Sequence, residues 1–327
     1  MEAGSETTTE WQVLVNPMSG NHKGRDDWGK ISLLLDQCGI TFRHHFTEYP
    51  RHAIKLIQEF LGQGSRKFII AGGDGFLNEA VNAIFTQTAV ESKLVTLAMI
   101  PVGTGNDWAR TFDIPFDYEA AIKIIKNGKT LRHDIGRVFY HVIGEEKSWY
   151  FINVCGMGFD AEVNKKVTAD RESGHLGSMK YRYHIFTTLL GYTPTNMTLV
   201  IDGKETSHEV FSLAIGIAQY NGGGMKQLPF AVPDDGVFDV SVIRRITRLK
   251  AMRSINKLHD GSFVDLPEVS TFTGKAIHVR SEPKCCVEAD GEALGESPFR
   301  FEIIPQALNV VIASPTEAGE MRAGCPL

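Results

Sequence analysis

The sequence predicts an α/β N-terminal domain, a parallel sheet flanked by helices over residues 10–133, followed by a β-rich, sandwich-like domain over 134–314, with tails at 1–9 and 315–327. Three observations carry this reading. At 327 residues the chain exceeds one ordinary domain. Its first 130 or so residues alternate short apolar runs with helical stripes, and after about residue 133 closely spaced β-rich segments take over.

In the first domain, Val13 to Val15, Phe68 to Ala71 and Leu94 to Ile100 read as buried strands, because aliphatic residues run without alternation up to Gly or Pro punctuation. Trp28, Ile31, Leu34, Leu35 and Cys38 fall on one helical face between them, as do Ile54, Ile57, Phe60 and Leu61. A third stripe is Leu77, Ala80, Val81, Ile84 and Phe85. Strands alternating with helices imply a parallel sheet covered on both sides.

In the second domain the expected strands are Ile135 to Val142, Trp149 to Cys155, Met197 to Asp202, Val210 to Ala218, Val237 to Ile243, Ala276 to Arg280 and Phe299 to Ile304. Asp202-Gly203 has the chemistry of a hairpin turn. Helical insertions are expected near Ala161 to Ala169 and Thr247 to Leu258, and the whole reads as a sandwich with a few helices.

Composition narrows the function classes. Hydrophobic residues at 43% and charged residues at 22% describe a folded chain. A net charge of -5, from 34 Lys+Arg against 39 Asp+Glu, gives no basic excess for nucleic acid. The cysteines at 38, 155, 285, 286 and 325 form no CxxC pair and are odd in number, so they read as reduced thiols of a cytoplasmic protein. The N-terminal MEAGSETTTE has no apolar run of a signal peptide, and no apolar stretch approaches the roughly 20 residues of a spanning helix. Contact with a membrane is therefore expected to be peripheral.

Chemistry concentrates in three turns. Gly72-Gly73-Asp74-Gly75 follows a strand and opens a helix, a context in which backbone N–H groups and the helix N-terminus attract phosphate. Alone, it reads equally as a tight turn with an Asp cap. Pro101-Val102-Gly103-Thr104-Gly105-Asn106-Asp107 repeats the context, and Asn16-Pro17-Met18-Ser19-Gly20 supplies a third polar turn. Gly-rich turns at the carboxyl ends of parallel strands meet on one sheet edge, where open α/β sheets bind ligands. No GxxxxGK[ST] is present, no GxGxxG opens a helix, and HRD and DFG are absent, so other nucleotide-site classes are excluded. The eleven histidines show neither HxH nor HExxH spacing, which argues against zinc.

Taken together, these motifs resemble the diacylglycerol kinase catalytic-domain family, which includes sphingosine and ceramide kinases and related bacterial lipid kinases. The resemblance runs from Asn16-Pro17 with Ser19-Gly20, through GGDG with Asn78-Glu79 and the GTGND turn, to His133-Asp134-Ile135-Gly136. It continues in Asn221-Gly222-Gly223-Gly224, Pro233-Asp234-Asp235-Gly236 and Asp290-Gly291-Glu292. GGDG alone is shared with NAD kinases and phosphofructokinases; GTGND and a late DGE point to the lipid kinases, and Trp108 to a bacterial subgroup.

What the resemblance implies is an ATP-dependent enzyme of lipid metabolism that moves the γ-phosphoryl group to a lipid hydroxyl, with diacylglycerol as acceptor and the active site between the two domains. ATP would meet Asn16, Thr47, Gly72, Gly73, Asp74, Gly75, Asn78, Thr104 and Asn106. Mg²⁺ would be held by the Asp235 side chain with the carbonyls of Val232 and Val237. Glu292 would be the catalytic base, with Asp290 and Asp74 beside it, and Asp107 and Asp134 would complete an acidic network. The lipid acceptor would be met at a membrane surface, on the cytoplasmic side. Phe76 stands where the family usually has Thr. Without the resemblance, Asp290-Gly291-Glu292 and Asp234-Asp235-Gly236 read as turns. Tyr181, Tyr183, Phe186, Leu189 and Leu190, with Lys180 and Arg182 among them, form a helical segment that suits either the core or a membrane surface. The competing readings are a kinase for another acceptor, whether a sphingoid base, another lipid or NAD, and an inactive nucleotide- or lipid-binding regulator.

Overall fold

The chain divides into two units, one made of the residues up to His133 together with those from Gln306 onward, the other of Asp134–Pro305. The computed structural model describes residues 10–172 and 178–314, so the expected tails and the side chains of Lys180, Tyr181 and Arg182 lie outside the described residues.

In the first unit, elements follow the order β1 (Trp11–Val15), α1 (Lys23–Asp26), α2 (Trp28–Gln37), β2 (Phe42–Phe46), α3 (His52–Gly62), β3 (Lys67–Gly72), α4 (Asp74–Thr86), β4 (Thr96–Pro101), α5 (Asp107–Thr111) and α6 (Tyr118–Asn127). Strands β2, β1, β3 and β4 lie side by side and all run parallel, since each returns through a helix. The helical stripes are buried as expected: Trp28, Ile31 and Leu35 of α2, Ile57 and Leu61 of α3, and Leu77, Ala80, Val81 and Ile84 of α4. Segment 306–314, placed in the second domain by the sequence reading, returns instead to this unit. Asn309 and Val310 pair in parallel with Thr96 and Leu97 and add a strand beside β4.

The second unit is built on antiparallel strands. They are β5 (Thr130–Val142), β6 (Glu145–Phe151), β7 (Val154–Gly158), β8 (Thr195–Ile201), β9 (Lys204–Gly216), β10 (Phe238–Arg244), β11 (Val269–Gly274), β12 (Ala276–Glu282), β13 (Cys286–Ala289) and β14 (Glu292–Val311). The expected single strand from Trp149 to Cys155 is two strands, broken at Ile152-Asn153. Two long strands serve two layers each. Residues 204–210 of β9 pair with β8, and residues 210–216 with β10 and β7. Likewise β14 pairs first with β13 and then with β12. One apolar core results, in which Leu199, Leu213, Ile215, Val240, Val242, Phe299 and Phe301 meet.

Helices α7 (Phe159–Glu172), α8 (Ser178–Gly191), α9 (Arg248–Arg253) and α10 (Ile255–Asp260) supply the expected insertions. Phe159, Val163 and Leu189 form a second apolar cluster with Phe211, against which Ile243 and Ala251 pack. A β-bulge shapes this face. Ile243 stands opposite Ser212 and Arg244 opposite Val210, so Phe211 is an extra residue in β9.

Candidate active site

In the first unit, the carboxyl ends of β1, β2, β3 and β4 bring together Asn16, Thr47, Gly72-Gly73 and the turn after Pro101. Asn16 N–H donates to Ala71 O at 3.2 Å, and Thr47 N–H to Val15 O at 3.0 Å. Val102 N–H and Gly103 N–H both donate to Gly72 O, at 2.9 and 3.1 Å. The two glycine turns touch backbone to backbone: a Cβ on Gly73 would sit 3.1 Å from Gly103 Cα. Glycine is required by this close approach.

Asp74 locks the turns together. Its Oδ1 accepts the Trp108 N–H at 3.0 Å, at the start of α5, so the carboxylate caps one helix while beginning another. Burial raises its pKa, and the backbone N–H groups of Trp108, Asp107 and Asn106 oppose the rise. Asn106 adopts φ 51° and donates from Nδ2 to Gly103 O at 2.8 Å, while its buried Oδ1 has no partner among the described residues. Gly75 lies in the first turn of α4. Trp108 is buried and its indole N–H donates to His133 Nε2 at 3.3 Å. Asp107 lies 3.8 Å from the Arg110 guanidinium.

Two residues at the start of α4 are buried. Asn78 is fully buried, and its Oδ1 accepts from Asn82 Nδ2 at 3.0 Å. Phe76, standing at a usual threonine position, is buried with its ring over Gly72, where a Cβ on that glycine would meet Phe76 Cδ1 at 2.5 Å. Apolar packing replaces the hydroxyl.

In the second unit, Asp290 and Gly291 form the β13–β14 turn with φ of 49° and 86°, as a two-residue hairpin loop requires. The Asp290 carboxylate accepts three backbone N–H groups, from Ile152 at 2.8 Å and from Asn153 and Val154 at 3.0 Å each. That arrangement ties the β6–β7 break to the hairpin and makes Asp290 a structural anchor. Glu292 opens β14 opposite Ala289 and is partly exposed.

Further polar residues extend this region beyond the motifs singled out in the sequence. Glu288 is buried beside the hairpin, its Oε1 accepting Asn221 Nδ2 at 3.0 Å and its Oε2 accepting Gly291 N–H at 2.9 Å. Burial pushes its carboxyl up to about 8 against those two bonds. Asp160, at the start of α7, accepts Ser212 Oγ at 2.6 Å and Gln227 Nε2 at 3.2 Å, and burial raises it to about 6. Lone polar residues in apolar surroundings were the available signal. Asp160, Ser212, Gln227 and Ser241 border a cavity that is otherwise apolar, walled by Phe159, Leu189, Phe211, Ile243, Ala251 and Leu258 among others.

The loop before β10 carries the expected cation ligands. Asp235 is exposed, and its Oδ1 accepts Val237 N–H at 3.1 Å, while Val232 is also exposed. The buried Asp134 receives Gly236 N–H at 2.7 Å and so fixes the loop. Among the described residues no group of three or more His, Cys, Asp or Glu side chains is placed to hold a metal. A carboxylate with main-chain carbonyls is an all-oxygen set, which fits a hard cation completed by phosphate oxygens and water.

Comparison with known proteins bears on both units. Residues 10–138 match the diacylglycerol kinase catalytic domain, and residues 153–312 match the YegS C-terminal NAD kinase beta sandwich-like domain. A diacylglycerol kinase of Mycobacterium tuberculosis is 32% identical over 302 residues, covering 91% of this chain and 94% of that protein. Among solved structures, a diacylglycerol kinase from Bacillus anthracis shares the fold with a TM-score of 0.70 at 22% identity, over 94% of this chain and 97% of that one. A yeast NADH kinase complexed with NADH is similar at a TM-score of 0.51 and 11% identity, over 96% and 86% of the two chains.

Proposed function

Since the chain belongs to the diacylglycerol kinase family and is an ATP-dependent lipid kinase, we propose that its acceptor is diacylglycerol, converted to phosphatidic acid. The observation that carries the acceptor reading is the cavity of the second unit. Its walls are Phe, Leu, Ile, Val and Ala side chains with a few polar groups, a lining that suits an acyl chain and not a dinucleotide or a sugar. The cavity thereby favours a lipid over NAD as acceptor.

ATP phosphates are taken by the backbone N–H groups of Gly73, Gly75 and the turn at Thr104, with Asn16, Thr47 and Asn106 around them. The unpartnered Asn106 Oδ1 supports this, as an acceptor waiting for a donor such as the ribose or the adenine amino group. Asp74 acts by positioning, through its hold on α5. Asp235, with the carbonyls of Val232 and Val237, would hold Mg²⁺, which would supply charge neutralisation when bound. Glu292 accepts the proton of the lipid hydroxyl as it attacks. Phosphoryl transfer needs little more, since its loose transition state is served by positioning and charge.

The acceptor is met at a membrane surface. Among the described residues no helix is long and apolar enough to cross a membrane. Tyr183, Phe186 and Leu190 of α8 and Leu249 and Met252 of α9 are exposed, with Arg248 and Arg253 beside the latter pair. The same helices send Ile185, Leu189 and Ala251 to the cavity wall. An amphipathic face of this kind rests on lipid while its other face receives the chain.

Radiolabelled ATP assayed against diacylglycerol, sphingoid base, ceramide and undecaprenol in mixed micelles tests the reading. Labelled phosphatidic acid as the main product is expected. Labelling of another lipid with none of diacylglycerol would overturn the acceptor assignment, and labelling of none would leave the proposed site without a reaction.

A further inference from the structure

Ser241 lies in the middle of β10. Phe238, Val240 and Val242 of that strand enter the sandwich core, so alternation turns Ser241 and Ile243 to the opposite face, where both border the cavity. Ser241 is 2% exposed and its Oγ has no hydrogen-bond partner among the described residues. A buried hydroxyl without an acceptor is destabilising, so a serine kept at such a place calls for a partner that arrives with a ligand.

The remaining polar groups of the cavity are engaged with one another. Ser212 Oγ and Gln227 Nε2 both donate to Asp160 Oδ2, and Gln227 Oε1 accepts from Asn221 Nδ2 at 3.3 Å. Ser241 Oγ is thus the buried side-chain oxygen of the cavity that makes no hydrogen bond among the described residues. A two-chain glycerolipid carries, where its chains begin, ester carbonyls that accept hydrogen bonds and donate none. Donor and acceptor are complementary, and an apolar surround strengthens their bond.

Resting on the acceptor reading above, we propose that Ser241 is a specificity-determining residue: its hydroxyl donates to an ester carbonyl of the acceptor lipid, so that the enzyme selects acyl over alkyl glycerolipids. Binding energy and selectivity come from the same bond. An ether-linked analogue of equal chain length fills the same apolar walls yet leaves the hydroxyl unpaired, and a site built around a hydrogen bond discriminates strongly against a ligand that lacks the partner.

The test is a cycle in which one partner is a side chain and the other a ligand atom. Initial rates of the full-length protein are measured with dioctanoylglycerol and with its dialkyl ether analogue, for the parent, Ser241→Ala and Ser241→Thr. The parent is expected to show a kcat/KM about tenfold higher for the ester. Ser241→Ala should lose that factor on the ester alone, with the ether value and the KM for ATP unchanged, and Ser241→Thr, which keeps the hydroxyl, should retain the preference. Equal parental rates on ester and ether overturn the proposal without any variant, as does a Ser241→Ala enzyme that loses both substrates alike. If the parent phosphorylates neither lipid, the acceptor reading fails and this proposal with it.

Discussion

The carboxylate of Asp74 accepts the backbone N–H of Trp108 at 3.0 Å, which joins the GGDG turn to the helix that follows GTGND. Two residues 34 apart in sequence thereby join the two turns into one edge. The acid that looked like a ligand in the sequence is a clamp in the structure. Asp74→Ala should cost about 1–2 kcal/mol, the usual range for a helix cap, read as a lower urea midpoint at unchanged slope. It should also raise the KM for ATP, because the Thr104 turn loses its anchor. A variant with parental stability and ATP affinity would show that the clamp does not matter.

The backbone contact between the turns gives a second prediction. A Cβ on Gly103 would collide with Gly73 Cα and lie 2.7 Å from Asn106 Oδ1, and one on Gly73 would press on Gly103. Gly103→Ala and Gly73→Val should therefore push the turns apart, at about 1–3 kcal/mol of overpacking, and abolish measurable ATP binding in a protein that remains folded. Retained ATP affinity by calorimetry in either folded variant would remove the turns from the site.

Much of the first unit is written in its periodicity. Ile31 and Leu35, Ile57 and Leu61, and Ala80 and Ile84 carry the helical spacing that the sheet then buries. Strand β2 escaped notice because Phe42–Phe46 is an edge strand reading FRHHF, with too little burial to leave an apolar run. The return of residues 306–314 to the first unit depends on the pairing of Asn309 with Thr96, a contact more than two hundred residues long that no local pattern encodes. The same limit applies to chemistry. DGE marks a hairpin and names Glu292, but only the three backbone N–H groups around Asp290 show that this neighbour is an anchor. Glu288 and Ser241 are single polar residues in apolar strands, and their meaning lies in what the fold brings beside them.

Removal of the cation ligand gives a third prediction. A bound ion stabilises the folded state by mass action, so Mg²⁺ with nucleotide should raise the melting temperature of the parent. Asp235→Ala should lose both that increment and activity. An equal Mg²⁺-dependent rise in parent and variant would place the ion elsewhere.

Glu292 supplies a fourth. A lipid alcohol is a weak nucleophile at neutral pH, and general-base help is typically worth about 10² to 10⁴ in rate. Glu292→Gln keeps size and polarity, so kcat should fall by that order while ATP affinity stays level. Unchanged kcat would exclude it as the base and would turn attention to Asp160, the carboxylate that borders the cavity.

Glu288 ties stability to pH with a sign opposite to that of a salt-bridged acid. Its folded pKa of about 8 lies above the ordinary value of 4.5, so the folded state holds the proton more tightly than the unfolded one. Where the folded state binds more protons, stability falls as pH rises. The contribution is therefore fully present below about 4.5 and is lost as pH climbs through about 8. Asp160 and Asp239, each raised from 3.8 to about 6, and Asp74, raised by burial, act in the same direction, so a substitution at Glu288 is needed to isolate its share. Urea unfolding between pH 6.5 and 8.5 should show the parent weakening, while Glu288→Gln, which cannot ionise at this position, should weaken distinctly less steeply across that range. The amide replaces one acceptor oxygen of a pair that receives Asn221 and Gly291, so an offset of about 1–3 kcal/mol at every pH is expected alongside the shallower profile. A Glu288→Gln protein that weakens with pH as steeply as the parent would show that the titrating group is another one, and that the buried carboxyl beside the DGE hairpin keeps its charge throughout.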